Sequence, residues 1–166
     1  MWFAMRREDL GFVGRAPLVQ VADARVGAPR AAVFAALADA GGWPRWFPNV
    51  RAAAYTTPAP HGVGTVREAD VGGTRWVEEM IAWDPDVRWG WTVLRASVPF
   101  AAAQVELFEL ADVDDGTRVR WTLALEPRLV ARLGAPIAKR TIPRLLRRAM
   151  DNLGARLAHE EGALRR

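Results

Sequence analysis

The 166-residue chain contains no cysteine, which excludes disulfides and thiolate metal ligands. It has one serine, Ser97, with no nucleophile motif around it. Its two histidines, His61 in the turn "PAPHG" and His159 toward the C-terminus, form no metal-binding spacing. The glycine runs "GVG" and "VGG" are not followed by a helix, so they read as turns and not as a nucleotide fingerprint. No metal or cofactor is therefore expected. Nor is any apolar run long enough to cross a bilayer. The opening "MWFAMRREDLGFVG" lacks the apolar stretch of a signal peptide, so a cytoplasmic location is expected.

Lysine is almost missing as well, with Lys139 alone against 22 arginines. The net charge of +4 and the high arginine content read as compositional bias. The one dense basic cluster is "KRTIPRLLRR", 139–148. It reads as the solvated face of an amphipathic helix. A nucleic-acid surface would carry aromatics between its cations, so no nucleic-acid partner is expected. About half of the residues are apolar and a quarter charged, as in a soluble globular domain with a sizeable core.

Along the chain, residues 1–16 read as a loose leader. "PLVQVADARVGA", 17–28, alternates like a strand. "APRAAVFAALADA", 28–40, reads as a helix with Pro29 at its start, ended by Gly41-Gly42. "WPRWFPNV", 43–50, reads as a second short helix, with Trp43, Trp46 and Phe47 on one face. Strands follow near 51–57, 63–71, 74–83, 87–96, 101–111 and 117–125, joined by short turns in an antiparallel meander. After Pro127 the period becomes helical, and an apolar stripe runs from Ile142 through Leu146, Met150 and Leu153 to Leu157. The predicted fold class is α+β: a curved antiparallel sheet wrapped around a long C-terminal helix, with two short helices after the first strand. Residues 17–161 make one domain, and 162–166 a tail.

"APRAAVFAALADAGGWPRWFPNV", "GVGTVREADVGGTRWVEE" and "DDGTRVRWTLALEP" resemble segments of the START-like, helix-grip superfamily (SRPBCC). In particular they resemble its polyketide cyclase/dehydrase-like branch. The resemblance covers about residues 17–161 and implies a ligand cavity between sheet and long helix. It implies aromatase/cyclase, lipid, quinone or hormone binding as the range of activities, and supplies no catalytic motif. A fold alone does not select among these.

In "VREADVGGTRWVEE" two glycines separate alternating runs, the pattern of a two-residue hairpin turn. Arg67 then faces Glu78 and Asp70 faces Arg75, on opposite faces of the hairpin. The face of Arg67, Ala69, Trp76, Glu78 and Met80 has fewer charges and is taken as the cavity face. The resemblance supports that choice, since the hormone-receptor branch turns an arginine and a glutamate of this hairpin into its pocket. The other reading is a structural pair near the sheet edge.

Strand parity adds Trp89 and Trp91, and also Trp121. On 101–111 it adds Gln104, Glu106 and Phe108, unless a bulge favours Val105, Leu107 and Glu109 instead. Tyr55 would add a hydroxyl, and Leu146 and Met150 the far wall. Eight tryptophans read either as core filling or as a pocket of Trp46, Trp89, Trp91 and Trp121 for flat aromatic ligands.

Catalytic candidates are Glu106, Arg67 and Glu78. In cyclase-type chemistry a glutamate would take an alpha proton while Arg67 steadied the enolate. A glutamate locked to an arginine is a poor base, which favours Glu106 over Glu78. The expected partner is a hydrophobic or aromatic small molecule, bound by a monomer or homodimer. The alternative is a lipid- or quinone-binding protein at a membrane surface, met by the basic end of the last helix.

Overall fold

A computed structural model of the chain describes residues 1–129 and 135–164. Eight strands form one antiparallel sheet: β1 (Phe3–Ala4), β2 (Leu18–Val26), β3 (Val50–Tyr55), β4 (Val66–Val71), β5 (Thr74–Asp84), β6 (Arg88–Ala96), β7 (Ala101–Val113) and β8 (Gly116–Pro127). Helix α1 (Arg30–Ala38) and a 3-10 turn (Ala40–Arg45) separate β2 from β3, and α2 (Ala135–Leu164) closes the chain. The strand order is β2-β8-β7-β6-β5-β4-β3, with β1 added to β6. This is the expected helix-grip architecture.

Each element follows from local chemistry. β2 alternates between buried and exposed residues, the mark of a strand with one face on the core. The β4–β5 turn rests on Gly72 at φ 61° and Gly73 at φ 86°, the left-handed pair that a tight hairpin requires. Asp70 Oδ1 accepts the Gly73 amide at 2.8 Å and fixes the turn. Arg67 pairs with Glu78 and Asp70 with Arg75 in register, as the glycine pair predicted. The outer pair forms no salt bridge, because the Asp70 carboxylate serves the turn and the Arg75 guanidinium lies 5.0 Å from the Trp2 ring.

Helix α2 lays Leu146, Ala149, Met150, Leu153 and Leu157 on the inner face of the sheet, all buried. Each large apolar side chain in this stripe contributes about 1.5–3 kcal/mol by leaving water. The helix continues to Leu164, so part of the expected tail is helical. The short segment after α1 differs from the expected helix over 43–50. It is a 3-10 turn beginning at Ala40, with Pro44 inside it, and β3 starts at Val50.

Residues 1–16 do not lie loose. Phe3 and Ala4 pair with Ala96 and Arg95 of β6. Next, the Met5 amide donates to Leu94 O at 2.8 Å and the Arg6 amide to Ala102 O at 2.7 Å. The segment thus bridges β6 and β7 beyond the point where their own pairing ends, at Thr92 and Val105. Phe12 then buries its ring against Ala103, Val105 and Ala124 on the outer face of the sheet. Strand pairing and the burial of Phe12 together hold this leader, and short apolar islands in a charged stretch gave no period from which to read it.

Candidate ligand-binding cavity

Between the concave face of the sheet and α2 lies a cavity of about 270 Å³. Strands β4 and β5 supply Arg67, Ala69, Trp76 and Glu78; β6 to β8 supply Trp91, Gln104, Glu106 and Trp121. Trp43 and Phe47 come from the segment between α1 and β3, and Leu145 and Leu146 from α2. The wall is mostly apolar, and its charged groups are Arg67, Glu78 and Glu106.

The face assignment of the hairpin agrees with the geometry, because Arg67 and Glu78 are both buried and both line the cavity. Arg67 Nε donates to Glu78 Oε2 at 2.7 Å. Its guanidinium carbon lies 4.6 Å from the Trp43 ring, 4.7 Å from Trp91 and 5.0 Å from Trp89. Three indole faces attract the cation by their quadrupoles and exclude water from it. Arg67 Nη1 is buried without a hydrogen-bond partner. Burial pushes the Glu78 carboxyl above the ordinary range, and Arg67 beside it pulls the other way.

Glu106 stands on the next strand but one. Its Oε1 accepts from Gln104 Nε2 and its Oε2 from Trp121 Nε1, each at 2.7 Å. Burial, and then the nearby negative charge of Glu78, pushes the Glu106 carboxyl up to about 7, against the pull of its two hydrogen bonds and Arg67. Burial raises both glutamates, outweighing at Glu78 the lowering expected from its cation, and they differ in partner: Glu78 is bound to a guanidinium and Glu106 to an amide and an indole.

The parity of β7 is the one that turns Gln104, Glu106 and Phe108 inward. The other set fails because Val105 packs outward under Phe12. Since the leader covers the outer face there, β7 is buried on both sides and its sequence does not alternate.

Of the residues singled out from sequence, Arg67, Glu78, Trp91, Gln104, Glu106, Trp121 and Leu146 line the cavity. Trp46, Tyr55, Met80, Trp89, Phe108 and Met150 do not, and each has a reason. Trp46 is fully buried behind Trp43, with ring centroids 4.5 Å apart. Trp89 and Phe108 back the lining rings, Phe108 standing 4.4 Å from Trp121. Met80 and Met150 are fully buried in the core. Tyr55 turns its hydroxyl away and donates it to Ala38 O at 2.8 Å; burial raises that phenol to about 12. His61 also lies away from the lining, its ring 4.2 Å from Tyr55.

Trp76, placed on the cavity face of the hairpin by parity, lines the cavity, and so do Trp43 and Phe100, which sequence reasoning left out. Trp43 was legible from its helical spacing with Phe47. Phe100, from the loop after β6, follows no period and meets Trp76 at 5.0 Å. Strict alternation along β5 puts Trp83 on the face of Arg75, opposite Glu78, yet its ring lies 6.2 Å from both Phe34 and Trp89. The register of β5 on β6 shifts between Met80 and Ala82, a break that alternation could not foresee.

Residues 19–158 match the family model described as polyketide cyclase / dehydrase and lipid transport. The chain belongs to this family. An uncharacterised protein of Mycobacterium tuberculosis is 31% identical over 122 residues, 73% of each chain. Its counterpart in Mycobacterium bovis matches equally. Among solved structures, a START superfamily protein from Mycobacterium smegmatis has a TM-score of 0.72 at 14% identity, covering 85% of this chain and 97% of that one. The Zhui aromatase/cyclase from Streptomyces sp. R1128 has a TM-score of 0.68 at 16% identity, covering 84% and 92%. Both likenesses are of fold. No helix among the described residues is long and apolar enough to cross a membrane.

Proposed function

We propose that this protein binds a hydrophobic or aromatic small molecule in the cavity between the sheet and α2. The observation that carries the reading is a mostly apolar wall with three charged groups, Arg67, Glu78 and Glu106, among its lining. Such a pocket takes an apolar body by burial and orients it by a polar group. Trp43, Trp91 and Trp121 offer indole surfaces for flat rings.

The same arrangement suits cyclase or dehydratase chemistry on a ketone-bearing chain. Glu106 takes a proton from the carbon next to a carbonyl, and the electron pair moves onto the carbonyl oxygen as an enolate. Arg67, held by Glu78, offers positive charge to that oxygen. The enolate's electron pair then forms a carbon–carbon double bond as the neighbouring C–O bond breaks, and the protonated Glu106 gives its proton to the departing hydroxyl, which leaves as water. A cytoplasmic location is part of this proposal.

The test is native mass spectrometry of protein purified from its own host, with chemical analysis of anything released on denaturation. One equivalent of an apolar compound is expected, absent from an Ala69→Phe variant whose ring fills the cavity. An Ala69→Phe variant that retains the compound would place binding elsewhere and end the proposal. Protein that is empty as isolated and takes up no ketone, quinone or fatty acid would end it too.

A further inference from the structure

From Pro127 to Met150 the chain carries seven cations, Arg128, Arg132, Lys139, Arg140, Arg144, Arg147 and Arg148, and no carboxylate. The rest of the chain has sixteen cations against nineteen acids. A compositional preference for arginine over lysine does not produce this segregation, because it leaves the acids where they are. Elsewhere on the surface most arginines are matched: Arg6, Arg7, Arg15, Arg25, Arg30, Arg88, Arg118, Arg120 and Arg156 are each salt-bridged to an aspartate or glutamate, and the exposed Arg45, Arg51, Arg75 and Arg95, scattered along the chain, are not. Among the described residues, Lys139, Arg140, Arg144, Arg147 and Arg148 are exposed and none is salt-bridged.

This unpaired face adjoins the cavity. Ile142 and Leu145, on the same turns of α2, are half-buried and line it. So do Phe100 and Pro127, which the Arg128 amide ties together by donating to Phe100 O at 2.9 Å. Two residues from each of these stands an apolar side chain left in water, Val98 and Leu129, the latter 78% exposed. Cations alone would suit any polyanion. Cations beside exposed apolar side chains, at the rim of an apolar cavity, suit an interface that is anionic at its surface and apolar just beneath.

We propose that this face docks the cavity rim on an anionic phospholipid bilayer, so that an apolar ligand passes between lipid and cavity without crossing water. The docking rests on the cavity reading only for where the ligand goes, and not on any chemistry at Glu106.

The test is flotation of the full chain with vesicles of phosphatidylcholine alone and of phosphatidylcholine with phosphatidylglycerol. Binding is expected to the anionic vesicles only and to fall steeply as salt shortens the screening length. The triple charge reversal Arg144→Glu, Arg147→Glu, Arg148→Glu should weaken it about a hundredfold or more, each cation near the surface contributing substantially. Should that variant fold poorly, Lys139→Gln with Arg140→Gln should weaken binding about tenfold or more while leaving thermal unfolding unchanged. Ala69→Phe, which fills the cavity, should float as the parent does, so a failed cavity and a failed docking face give different results. Equal binding to neutral vesicles, no binding, or binding indifferent to the charge reversals would overturn the proposal. Salt-sensitive capture of duplex DNA or of an acidic protein by chains that ignore anionic vesicles would overturn it as well.

Discussion

Arg67 Nε donates to Glu78 Oε2 across the β4–β5 hairpin at 2.7 Å, with both side chains buried and the guanidinium packed against indole rings. A buried pair of this kind is held by geometry and not by cheapness, since each charge lost its water to reach it. Replacing one partner strands the other. Arg67→Met or Glu78→Met alone should therefore cost about 3–5 kcal/mol in urea unfolding. The double replacement should recover most of that loss. Single variants that unfold like the parent would show that water reaches the pair.

Glu106 gives the protein a distinctive pH response. Its carboxyl is raised from an ordinary 4.5 to about 7 in the fold, so the folded chain holds a proton that the unfolded chain has released. That contribution to stability is full below about pH 4.5 and is lost as pH rises through 7. The fall should amount to roughly 3 kcal/mol at most across that window. Glu106→Gln, which cannot ionise, should remove this component of the slope. Chemical denaturation at successive pH values, parent against variant, reads the difference directly.

Much of this was legible in the sequence, for reasons tied to particular residues. Gly72-Gly73 set the hairpin register, and the register set Arg67 against Glu78. The helical stripe from Ile142 to Leu157 announced the long helix. What escaped the reading lay where one face of a strand is not simply wet. Val105 is buried outward because Phe12 covers it, so β7 carried no alternation to read. Trp83 lies past a break in the register of β5 on β6 and changes face. Trp46, Trp89 and Phe108 have the right parity for the cavity but are shielded from it by other rings, a matter of depth that period does not encode.

Phe12 makes the leader a structural element, so Phe12→Ala should destabilise the whole domain by about 3–5 kcal/mol. Hydrogen exchange should rise first at Met5 and Arg6, whose amides join the leader to β6 and β7. Unchanged stability would mean that the leader only rests on the sheet.

Gly90 sits where β6 and β7 pass closely. A Cβ there would lie 2.6 Å from the Glu106 carbonyl oxygen and 3.2 Å from Leu107 Cα. Gly90→Ala must push the two strands apart, at a cost of about 1–3 kcal/mol. Because Trp91 and Glu106 flank the displaced point, ligand affinity should fall along with stability. Thermal unfolding and ligand titration of the one variant check both.

The account's central claim is that the cavity admits an apolar ligand against its tryptophans. The direct measurement is the indole N–H spectrum of the eight tryptophans during titration with a neutral bicyclic ketone, a quinone and a fatty acid. The account predicts that at least one probe moves the Trp43, Trp76, Trp91 and Trp121 signals together. Trp2 and Trp83 should stay still, and Ala69→Phe should abolish the response. Silence of the four wall signals with every probe, or a response that survives Ala69→Phe, would contradict it.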